Sequence, residues 1–76
     1  MNKIRRKNLQ AIIDQLEELK SSLEHLQAEE EEYRDNIPEN MQGSERYEKA
    51  DEASGNLSGA VDNLEEVISG IKAAIE

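Results

Sequence analysis

The chain has 76 residues, a net charge of -9, 36% charged residues and only 3% aromatics, with no cysteine, tryptophan or phenylalanine. That length holds one domain at most, and that composition cannot build a thick globular core or use disulfide or thiolate chemistry. No apolar run approaches the ~18 residues of a membrane span, and the basic start is not followed by an uncharged apolar segment of secretory type, so the expected compartment is the cytoplasm, with no membrane partner.

The first eight residues are basic: Lys3, Arg5, Arg6 and Lys7 precede any acid. From Leu9 onward there are 18 acids and 5 bases. The molecule is therefore expected to be a negative rod with one positive tip, repelling nucleic acid over most of its surface and attracting basic partners. Four charges without aromatics are poor support for nucleic-acid binding, so the tip is expected to neutralise a helix end, beside Glu76.

Helix 1 is expected over about residues 3–35. Leu9, Leu16, Leu23, Glu30 and Ile37 fall at heptad position a, and Ile12, Leu19, Leu26 and Tyr33 at position d. This 3-4 spacing marks one face of a helix. Ile13 at position e begins only a partial further column. The helix must end near Ile37, because the residue before Pro38 is driven out of the helical region, and Asn36 can take a left-handed terminal position. Glu30 breaks the ladder. In a hairpin it lies near Ser54 and Lys49, where it could bond either, but a carboxylate is seldom fully buried and the bland outcome is that it reaches water.

A turn is expected over residues 36–44, with Ile37 and Met41 plugging the end of the hairpin. A connection this short makes the two helices antiparallel neighbours. Ser44 reads as the N-cap of the second helix, with Glu45 and Glu48 favouring its positive end.

Helix 2 is expected over about residues 45–75. Its ladder is Tyr47, Ala50, Ser54, Leu57, Val61, Leu64, Ile68, Ile71 and Ile75. Beside it runs a further column at position g: Ala53, Ala60, Val67 and Ala74. A lone hairpin buries one seam and leaves that column wet, and small two-helix cores seldom stand alone. The expected fold is therefore all-α, an antiparallel, coiled-coil-like two-helix hairpin forming a single domain over residues 1–76. It is expected to pair into a homodimeric four-helix bundle with Ala53, Ala60, Val67 and Ala74 at the interface.

Helix 2 also carries Gly55, Gly59 and Gly70, each costing up to ~1 kcal/mol relative to Ala. Gly55 and Gly59 share a face with Ser58 and Asp62. Small residues allow close approach of another backbone, so these four form a candidate partner-contact patch; the alternative is an exposed weak spot or a break near Ser54. The run Glu29–Glu32, extended by Asp35 and Glu39, could mimic a phosphate backbone, although helical wrapping spreads it around the circumference.

No catalytic residue, metal site or cofactor is expected. The only histidine, His25, lies outside the ladder and lacks the Glu-x-x-His pattern of a di-metal bundle. There is no phosphate-binding glycine loop and no zinc pattern.

The stretch from Glu31 to Glu48, EEYRDNIPENMQGSERYE, resembles the turn region of small acidic helical-hairpin proteins of Gram-positive bacteria and their phages. The glycines of helix 2 depart from the Ala or Glu usual there. The resemblance implies a helical hairpin, carries over no functional residue, and would make an inhibitor of a host protein a natural role. The expected function is thus a non-enzymatic protein–protein interaction module, plausible as an inhibitor of a defence or nucleic-acid-acting protein with a basic surface. The alternatives are an oligomer that sequesters a small ligand such as a nucleotide, and a structural coiled-coil subunit.

Overall fold

The computed structural model describes residues 1–76 as two long helices, α1 (Lys3–Asp35) and α2 (Glu45–Ile75), joined through a single 3₁₀ turn at Glu39–Met41. Both helix ranges coincide with the expected ones. The Cα atoms occupy 59 × 15 × 13 Å, and α1 packs lengthwise against α2 as an antiparallel hairpin.

Both helices begin on a side-chain cap. The Asn2 side chain accepts a hydrogen bond from the Arg5 amide at 2.7 Å, and Ser44 Oγ accepts one from the Tyr47 amide at 3.3 Å. Each satisfies one of the amides that a first helical turn leaves without a partner. The end of α1 differs from expectation. Asn36 stays right-handed, at φ -84° and ψ -6°, and no residue has a positive φ. The amides of Asn36 and Ile37 close instead on the carbonyls of Glu32 and Arg34. Reversal is left to Pro38, at φ -54° and ψ 143°, and to the 3₁₀ turn after it. Ile37 alone plugs this end, since Met41 is exposed.

The apolar core consists of Ile13, Ile37, Ala50, Val61 and Ile68, with Ser54 as the one buried polar residue. On α2 the seam is the expected ladder: Ala50, Ser54, Val61 and Ile68 are buried, and Tyr47, Leu57, Leu64, Ile71 and Ile75 are half-buried. α2 runs unbroken through Ser54 and Gly55. Ser54 Oγ donates to the Ala50 carbonyl at 2.9 Å, so it needs nothing from Glu30. Lys49 pairs with Glu45, leaving Glu30 half-buried with neither suggested partner.

On α1 the seam is rotated from the expected position. The inward residues are Leu9, Ile13, Leu16, Lys20, Leu23, Gln27, Glu30, Arg34 and Ile37, which are positions a and e. Ile13 is 0% exposed, whereas its neighbour Ile12 is 45% exposed. The e column is effectively amphipathic rather than polar: the stems of Lys20 and Arg34 lie along the seam while their heads reach acids on α2. Lys20 Nζ is 3.0 Å from Glu65, and Arg34 Nη1 is 2.9 Å from Asp51.

Candidate interaction surface

Each helix carries three apolar or amphipathic columns, and the hairpin seam uses two of them. α1 presents d, a and e and buries a and e. α2 presents g, d and a and buries a and d. Residues advance about 100° around a helix, so the unused d column of α1 lies some 80° to one side of its seam. The unused g column of α2 lies about 90° to one side of its own. Because the helices run antiparallel, these displacements fall on the same side. A direct contact confirms it: Arg46, in the g column, donates from Nε to the Tyr33 hydroxyl at 2.8 Å, and its guanidinium lies 5.3 Å from the Tyr33 ring centre.

One edge of the hairpin is therefore apolar. Ile12, Leu19, Leu26 and Tyr33 are 45%, 62%, 54% and 45% exposed, and Val67 is 51% exposed. Ala60 and Ala74 are exposed beside them, and Ala53 is half-buried. The ion pairs Lys20–Glu65 and Arg34–Asp51 set the antiparallel register. In that register Ile12, Leu19, Leu26 and Tyr33 lie at about the levels of Ala74, Val67, Ala60 and Ala53. The edge is thus four layers of one large residue on α1 and one smaller residue on α2. The candidate oligomer column on α2 is half of a surface whose larger half is on α1.

The opposite edge is charged. All three ion pairs that cross between the helices lie there: Lys20–Glu65, Arg34–Asp51 and Glu17–Lys72, the last at 3.0 Å. The hydrogen bond to Glu65, with nearby Glu24 and Glu17, raises the pKa of Lys20 above its ordinary 10.5 against a smaller opposing effect of desolvation. Hydrogen bonds to Asp35 and then Asp51 raise that of Arg34. Exposed ion pairs contribute little energy, so these three accompany the rotation of α1, which is marked by the complete burial of Ile13.

The glycine patch is not joined to the apolar edge. Gly55, Gly59 and Asp62 are exposed and Ser58 is half-buried. A Cβ built at Gly55, Gly59 or Gly70 meets no atom within 4 Å, so the hairpin needs none of them for close approach. Their wheel positions place Gly55, Gly59 and Asp62 on the back of α2, about 100–140° from the g column.

In the acidic run, Glu29 and Glu32 are exposed, Glu30 and Glu31 half-buried, and Glu31 accepts from the Gln27 amide at 3.2 Å. His25 is exposed and lies 3.2 Å from Glu29. At the other end, Lys3, Arg5, Arg6 and Lys7 are exposed and take part in none of the ion pairs. The expected contact with Glu76 is not made. Leu9 is the first half-buried residue of α1, so the basic residues overhang by about 3 Å at Lys7 to about 9 Å at Lys3, at ~1.5 Å per residue.

The single hairpin contains no pocket, and no helix is long and apolar enough to cross a membrane. No protein-family model, curated protein or solved structure matches this chain.

The surface missed from sequence is the α1 half of the apolar edge, because Ile12, Leu19, Leu26 and Tyr33 were assigned to the seam. One signal could have revealed it. Ile13 opens the e column directly after Ile12, so the start of α1 offers an apolar pair on a and e as well as one on a and d.

Proposed function

We propose that this chain is a non-enzymatic interaction module that associates with a second copy through its apolar edge, forming a four-helix bundle. The observation carrying this reading is the column Ile12, Leu19, Leu26 and Tyr33 standing exposed beside Val67 on one edge of an otherwise charged rod. The five large side chains expose roughly 500 Å², at the scale where an apolar patch on a small protein marks a contact surface. The core is correspondingly thin. Five buried apolar residues support two helices of 33 and 31 residues, and helices in proteins owe most of their stability to packing of an apolar face. A second hairpin would supply the missing third and fourth walls.

The surface outside that edge is acidic, and its role in this reading is contact with a basic protein, as an inhibitor of a nucleic-acid-acting or defence enzyme would make. Association is tested by light scattering on the wild-type chain and on Leu19→Glu with Val67→Glu. The wild type should elute as a dimer and the variant at 8.6 kDa. Equal monomeric masses for both would reject the reading.

A further inference from the structure

Two hairpins can bring their apolar edges together in two ways, with their turns at the same end or at opposite ends. We infer that the second copy lies antiparallel, so that the basic overhang Lys3–Lys7 of each protomer sits beside the acidic turn end of its partner. This rests on the apolar edge being the self-association surface.

The charges decide the orientation. The overhang carries four bases, has no acid before Asp14, and engages none of those bases within its own hairpin. At the other end, Glu29–Glu48 holds eight acids against two bases. Both of those bases are already occupied, Arg34 by Asp35 and Asp51 and Arg46 by Tyr33. With the turns at the same end, both basic overhangs would gather at one end of the bundle and both acidic ends at the other, like charge with like. With the turns at opposite ends, the unpaired bases of each overhang meet the acid-rich end of the partner.

The layer spacing accommodates this arrangement. The α1 column repeats every seven residues about a midpoint between Ser22 and Leu23, and the α2 column does so about a midpoint between Asn63 and Leu64. The Lys20–Glu65 and Arg34–Asp51 pairs place these midpoints within about one residue, ~1.5 Å, of the same level. A single two-fold axis there would set Leu19 against the partner's Leu26 and Val67 against the partner's Ala60 together. The same axis carries Lys3–Lys7 to the level of residues 38–42 of the other copy, where Glu39 lies. The extents of 59 × 15 Å give an overlap of roughly 800 Å² a side, the size of a standard stable interface.

The chain has no cysteine, so a single engineered one reports cleanly. Asn40→Cys, spin-labelled at the turn, should give a tip-to-tip distance of about 50 Å across the antiparallel dimer at ~1.5 Å per helical residue. Gly43→Cys offers a second site, since an added Cβ there meets no atom within 4 Å. A dimeric mass with a tip-to-tip distance below about 25 Å would overturn the orientation while leaving self-association standing, because only turns at the same end lie that close. A monomeric mass would overturn self-association, and the orientation with it.

Discussion

The two edges of this hairpin flank the same seam, yet one is charged and the other apolar. One carries the three ion pairs that cross between helices and is complete within a single chain. The other carries Ile12, Leu19, Leu26, Tyr33 and Val67 exposed to solvent. The difference arises in α1. With its e column turned inward it holds the Lys20 and Arg34 ion pairs on one side and leaves a whole apolar column on the other. A helix with three usable columns buries two of them in this hairpin and leaves the third exposed.

The largest contrast should come from breaking each edge in turn. Leu19→Glu with Val67→Glu places charge in the middle of the apolar edge and should weaken dimerisation at least ~100-fold, or about 3 kcal/mol, by sedimentation. Asp51→Asn with Glu65→Gln removes acids from the other edge and should leave the mass unchanged. Loss of the dimer in both variants would mean that the edges are not distinct.

The adjacent pair Ile12 and Ile13 sharpens the contrast to a single step along the chain. Ile13→Ala removes a fully buried side chain and should cost about 2–4 kcal/mol of folding stability at any protein concentration. Ile12→Ala should act on association instead, lowering the melting temperature only where the wild type is dimeric. Reversed behaviour would restore the a/d seam.

Much of the fold was legible in the sequence, for local reasons. Pro38 stops α1, Ser44 starts α2, and the α2 ladder is apolar enough to be read directly. The rotation of α1 was not legible in the same way. Lys20 and Arg34 look like surface residues until their reach to Glu65 and Asp51 is considered, and that reach depends on the partner helix. The overhang of Lys3–Lys7 was missed because it depends on relative helix lengths after the turn, where Pro38 and the 3₁₀ turn set the register. The glycine patch was readable as exposed, but nothing in the hairpin requires it.

That patch yields a smaller effect. Gly55→Ala with Gly59→Ala should raise stability by up to ~1 kcal/mol per site, because both positions are helical and open, with no change in mass. A loss of dimer would place the patch in the interface. Ser44→Ala should cost about 1 kcal/mol by thermal denaturation, through loss of the bond from the Tyr47 amide.

The smallest effect belongs to the charged edge. The pKa of Lys20 is raised in the folded chain, chiefly by its hydrogen bond to Glu65, so its contribution is fully present below 10.5 and is lost as pH rises through the raised value. A slight fall in stability on that alkaline limb should be shallower in Glu65→Gln. An unchanged limb would show that the contact is not formed in solution.

The most direct test of the central claim is sedimentation equilibrium of the wild-type chain at tens of micromolar, with helicity followed on the same samples. A second copy covering the apolar edge gives a mass of about 17 kDa, twice the 8.6 kDa chain, falling towards the monomer on dilution. A single fully helical species of 8.6 kDa across the range would contradict it.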